Sequence, residues 1–167
     1  LLLLTSSIYL VSACQYLASD NGKTPPKTNS SSPNHVLISE KINGISFEAP
    51  PSPFESSDFA PIKTAIAANW MALSPYAASY KNKGEVFFDH PQQWWGEGSA
   101  GTFTSIQHAY ANGFKVMLKP QVWVINGWVG DYQLANEKEW DVWEKAYEKY
   151  ILHFAHIADS MDVQLFC

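Results

Sequence analysis

Phe114-Lys115-Val116-Met117-Leu118-Lys119-Pro120-Gln121-Val122-Trp123-Val124 reads first as architecture and then as chemistry. Val116, Met117 and Leu118 form a short apolar run behind Asn112-Gly113, the pattern of a strand covered on both faces. Past the run, Lys119, Gln121 and Trp123 alternate, and the period-2 rule puts their side chains on one face. No core needs an ammonium, an amide and an indole side by side. At the C-terminal end of a strand they make the floor of a site for a polar ligand.

Outward from this stretch, strands and helices alternate. Ile42 to Glu48 is expected to form a strand with Gly44 inside it. A helix capped at Ser57-Asp58 follows, with Phe59, Ile62, Ala65 and Ile66 at helical spacing and Pro61 in its first turn. Trp70 to Tyr76 is expected as a second buried strand. The segment 77–101 is long for a connection, and long loops inside compact domains are usually functional. Thr102 or Thr104 is the expected cap of a short helix with Phe103, Ile106, Ala109 and Tyr110 inward, closed by Asn112-Gly113. After the strand of residues 115–124, a helix over 137–160 carries Trp140, Trp143, Tyr147, Ile151, Phe154 and Ala158 as one stripe. Val163 to Cys167 begins a further strand. Such alternation implies right-handed βαβ units and a parallel sheet. Four strands do not close a barrel, so the chain is expected to be a fragment.

Upstream, residues 1–13 are apolar but shorter than the roughly 20 residues a membrane-spanning helix needs. They match the apolar region of a secretory signal, and Leu10-Val11-Ser12-Ala13-Cys14 resembles a bacterial lipobox. The resemblance implies removal of 1–13, lipidation of Cys14, and a lipid-anchored protein of the bacterial cell envelope facing the periplasm or exterior. Residues 14–36 then read as a polar, Pro-rich tether, and 37–167 as the folded domain. A disulfide between Cys14 and Cys167 is possible on paper, but the two local contexts point to separate fates.

Composition excludes some functions. A formal charge of −5 lacks the basic footprint of nucleic-acid binding. The 14% aromatic content, with seven Trp and eight Tyr, fits either a large aromatic core or stacking on sugar rings. The five histidines show no metal-ligand spacing, no glycine-rich loop suits a phosphate, and no cofactor is expected.

Gly113 to Trp123, then Gly127-Trp128-Val129-Gly130, resemble the TIM-barrel glycoside hydrolases of family 113, whose members include β-mannanases. Gln92-Gln93-Trp94-Trp95-Gly96-Glu97 and the Trp- and Tyr-rich helix ending in Val163-Gln164-Leu165-Phe166-Cys167 support the resemblance, which covers the folded part from about Ile42. It implies the N-terminal half, about four β/α units, of a (β/α)8 barrel with its site at the C-terminal strand ends. It also implies a retaining mechanism on a β-linked, mannan-like polysaccharide, with an acid/base glutamate after strand four and a nucleophile after strand seven. Both would lie past Cys167, so no catalytic residue is assigned here. The resemblance implies sugar contacts for Lys119, Gln121, Trp123 and Trp128; Tyr76 and Glu48, at the ends of earlier strands, are expected to line the same pocket, with core or loop packing an equal alternative for Tyr76. A His often stands in the family where this chain has Gln121. The rival reading is a surface glycan-binding lipoprotein that keeps the sugar cleft and lacks the chemistry.

Overall fold

The computed structural model describes residues 41–167. The expected signal segment 1–13, lipidated Cys14 and tether 14–36 lie outside the described residues.

Four strands form one parallel sheet: β1 (Gly44–Phe47), β2 (Trp70–Leu73), β5 (Lys115–Leu118) and β7 (Leu165–Phe166), hydrogen-bonded in that order. Helices α1 (Ala60–Ile66), α2 (Ser99–Ala111) and α3 (Glu137–Ser160) cross between them. Strands added one after another in the same direction, each with a helix behind, are the first half of a TIM barrel. The helix side of the sheet holds the core. Met71, Leu73, Val116 and Leu118 pack there with Phe59, Ile106, Ala109 and Phe154, all essentially buried. Where the strands begin, Asn43 and Asn69 lock β1 to β2: Asn43 N–H donates to Asn69 Oδ1 at 2.8 Å, and Asn69 Nδ2 donates to Lys41 O at 3.0 Å.

A second sheet was not legible as such in the sequence. β3 (Tyr76–Tyr80) pairs parallel with β6 (Gln121–Ile125), and the short β4 (Val86–Phe87) pairs antiparallel with β3. β3 and β6 are β2 and β5 carried onward past Pro75 and Pro120. The register does not change across the break: Trp70 faces Lys115, and Tyr76 faces Gln121. A proline cannot donate to a ladder, so each strand is interrupted once and then resumes. The expected single strand from Trp70 to Tyr76 is therefore two, and Tyr76 opens β3 rather than closing β2. The segment 77–101 is likewise part ribbon and part turn instead of a plain loop.

Two helices differ in detail from expectation. The turn Ser56–Phe59 precedes α1, with Glu55 as its cap and Asp58 reaching back to the Glu55 N–H at 3.1 Å. Helix α2 starts at Ser99, and neither Thr102 nor Thr104 caps it. Its cap is non-local: Asp89 Oδ1 accepts the Ser99 N–H at 2.6 Å, while Oδ2 takes the Ser99 hydroxyl. Its inward stripe is Gly101, Thr102, Ser105, Ile106 and Ala109, and Phe103 is 44% exposed. Small residues let α2 approach the sheet closely, which turns the bulky Phe103 outward.

Helix α3 spans the expected residues and is capped by Asn136, whose Oδ1 accepts the Glu139 N–H at 3.1 Å. Phe154 and Ala158 of the expected stripe are buried, and Trp143 stacks on Tyr147 at 4.9 Å. Tyr150 is the unforeseen member. Fully buried, it shares its hydroxyl proton between Pro75 O at 2.8 Å and Gln121 O at 2.9 Å. Burial pushes its phenol well above the usual range. This one side chain holds both strands at the point where they pass their prolines.

Candidate functional site

Alternation along the ribbon separates its two faces. Ser79 and Val124 alternate to one face and are buried, and Ser79 Oγ meets the Tyr132 hydroxyl at 2.9 Å. Tyr76, Ala78, Tyr80, Trp123 and Ile125 line a cleft of about 430 Å³ on the opposite face. Phe87, His90, Gln92, Gln93 and Glu97 complete it from the segment before α2.

A hydrogen-bonded cluster forms its polar wall. The Tyr76 hydroxyl donates to Gln121 Oε1 at 2.8 Å. Gln93 Nε2 donates to the backbone oxygen of Tyr76, and the Gln93 amide also bonds the Glu97 carboxylate. Burial raises the pKa of Glu97, and the nearby Glu48 charge adds to the rise, opposed by hydrogen bonds from the Trp94 backbone and Gln93. Tyr76 is also pushed up, first by burial and then by Glu97 and Glu48. Desolvation and like charge act together here, as expected where a cleft gathers carboxylates.

Glu97 is held by close backbone approach. Gly96 N–H donates to Pro50 O at 2.9 Å, and a Cβ on Gly96 would overlap Pro50. A Cβ on Gly101 would strike the Trp95 carbonyl and Gly96. Trp95 packs edge-on to Phe54 at 6.2 Å and anchors this turn, whereas Trp94 faces outward.

The residues singled out from sequence are distributed as follows. Tyr76 and Trp123 line the cleft, with Trp123 64% exposed. Gln121 joins through Tyr76, and Glu48 is near enough to act on both Tyr76 and Glu97. Lys119 is half-buried just before Pro120, its N–H bonded to Leu73 O at 2.8 Å, and its ammonium forms no ion pair among the described residues. Trp128 is 67% exposed on a turn and is not among the cleft-lining residues. Gln93, Glu97, His90, Tyr80 and Phe87 were not assigned from sequence. The pointers to them were the length of 77–101 and its Gln92-Gln93-Trp94-Trp95-Gly96-Glu97 run.

An aromatic floor with amides and a carboxylate around it lies at the C-terminal ends of parallel strands of a TIM-barrel half. The model of Glycoside Hydrolase Family 113 matches residues 56–167, and the chain belongs to that family. The fold is also that of a solved family 113 β-mannanase from Alicyclobacillus acidocaldarius in complex with ManMIm. The match has a TM-score of 0.65 at 22% identity over 75% of this chain and 43% of that one. Two solved structures of a family 113 β-1,4-mannanase, one of them a complex, match with TM-score 0.62 at 24% identity over 75% of this chain and 44% of theirs. The chain thus spans less than half the length of these structures. No curated protein matches it.

Proposed function

We propose that the protein is a retaining glycoside hydrolase of a β-linked, mannan-type polysaccharide, and that residues 41–167 supply the part of its cleft that positions substrate. The observation that carries this reading is the open face of the ribbon, where Trp123 and Tyr76 stand beside Gln121, Gln93 and Glu97. Indole and phenol faces suit the C–H faces of pyranose rings. The amides and carboxylates suit hydroxyls, and Lys119 adds a cationic donor just inside the mouth. Family membership and the β-mannanases among the matched structures support the choice of substrate.

Retention uses two carboxyls about 5–5.5 Å apart, one attacking the anomeric carbon while the other protonates the leaving oxygen. We assign neither Glu48 nor Glu97 to that pair. Glu48 directly follows the first barrel strand, and Glu97 lies in the turn before α2, already committed to Gln93 and the Trp94 backbone. The pair belongs after the fourth and seventh barrel strands of the complete protein. Residues 41–167 alone should therefore bind sugar without cleaving it.

A reducing-end assay on full-length protein with β-mannan and β-glucan tests the reading. Hydrolysis of β-mannan is expected; binding without hydrolysis would favour a surface glycan-binding protein, and neither would overturn both. We also propose that Cys14 carries the lipid anchor, on the strength of Leu10-Val11-Ser12-Ala13-Cys14. Cys14→Ser should then release the protein from the membrane fraction.

A further inference from the structure

The cleft does not end at Trp123. A second hollow of about 450 Å³, lined by Tyr80, Lys81, Asn82, Lys83, Ile125 and Asn126, shares Tyr80 and Ile125 with it. The two adjoin at Tyr80 and Ile125, and the lining changes there: aromatic on the barrel side, cationic and amide-rich beyond. In a chain with 16 acidic and 11 basic residues, two lysines within Tyr80-Lys81-Asn82-Lys83 are a local reversal of charge.

The lysine-bearing turn is built rather than loose. Lys83 N–H donates to Tyr80 O at 3.2 Å, and Lys83 O accepts the Tyr132 hydroxyl at 2.8 Å. Gly84 is pressed so closely on the Glu139 carbonyl that a Cβ would overlap it. Lys81 pairs with Asp131 at 3.8 Å and covers Gly127. Lys83 Nζ lies 5.0 Å over the Tyr80 ring, and it has no carboxylate partner among the described residues. Asp131 therefore offsets one of the two charges, and the other, exposed over the Tyr80 ring, lines the hollow.

We propose that this hollow is an outer subsite for a carboxylate-bearing sugar unit of the same glycan chain whose neutral units occupy the aromatic cleft. Lys83 meets the carboxylate, and Asn82 and Asn126 take hydroxyls. The inference rests on the sugar-binding reading of the cleft and adds to it a preference for acidic glycans.

The test titrates the 1–167 chain with a β-1,4-manno-oligosaccharide and with the same oligosaccharide oxidised at its terminal C6 to the carboxylate. An exposed ion pair is worth up to about 1 kcal/mol, so the acidic form should bind roughly two- to five-fold tighter at low salt. That advantage should shrink in 0.5 M NaCl and vanish in Lys83→Ala, with affinity for the neutral form unchanged. Lys83→Glu should reverse the preference. Equal binding of the two forms, or a preference that survives Lys83→Ala, would overturn the outer subsite and leave the cleft intact. Failure of both sugars to bind would remove the sugar reading and the subsite with it.

Discussion

β2 and β5 on one side of their prolines, and β3 and β6 on the other, are the same two stretches of chain in the same register, yet they do different work. Before Pro75 and Pro120 the pair lies mid-sheet, flanked by β1 and β7 and backed by α2 and α3, with Met71, Leu73, Val116 and Leu118 in the core. After the prolines β6 has no further neighbour among the described strands, one face is buried at Ser79 and Val124, and the other is open and carries Tyr76 and Trp123. Folding information is concentrated in the first half and ligand chemistry in the second. Tyr150 joins them by holding the carbonyls of Pro75 and Gln121.

The sharpest way to break this division is to truncate one large aromatic in each region. Phe154→Ala empties a fully buried position behind the barrel strands and should destabilise the protein by about 3–5 kcal/mol, read as the midpoint shift in urea unfolding. Trp123→Ala should change stability by less than about 0.5 kcal/mol. Its effect appears in binding: manno-oligosaccharide affinity should fall roughly three- to ten-fold, on the scale of other aromatic stacking contacts. A large loss of stability in the second variant would mean that the ribbon belongs to the core.

At the junction, Tyr150→Phe keeps the ring and removes only the hydroxyl. Loss of this buried donor should lower stability by roughly 1–2 kcal/mol. Amide exchange should accelerate at Gln121–Ile125 more than at Lys115–Leu118; equal acceleration in both would show that the two halves do not open separately.

The smallest effect concerns the polar wall. Glu97 has a raised pKa in the folded protein, so its carboxyl favours folding below the unfolded value of about 4.3 and loses that contribution as pH rises through the folded value. Glu97→Gln, which stays neutral, should therefore be slightly more stable than the parent at pH 7. The difference should disappear near pH 3.5. A variant less stable at pH 7 would show that the hydrogen bonds from Trp94 and Gln93 outweigh burial and the Glu48 charge.

These regions also differ in how much the sequence discloses. The barrel strands and α3 are written in local periodicity: Val116 to Leu118 as an apolar run, and Trp140 to Ala158 as a stripe. The face bearing Gln121 and Trp123 was legible for the same reason. The α2 cap was not, because Asp89 lies ten residues before Ser99 and reaches it only through the turn at Trp95-Gly96. Nor was the inward face of α2, whose stripe of small and hydroxyl residues carries little hydrophobic signal beside Phe103. Tyr150 sits beside the expected stripe, and its function depends on carbonyls far away in the chain. Glu97 enters the cleft only because Gly96 and Gly101 permit a close backbone approach that no spacing rule encodes.

Hydrogen–deuterium exchange of the chain with and without a β-1,4-manno-oligosaccharide tests the division most directly. The account predicts slower exchange on binding across Tyr76–Tyr80 and Gln121–Ile125, with Trp70–Leu73 and Lys115–Leu118 unchanged. Protection confined to the barrel strands, or to surfaces away from the ribbon, would contradict it.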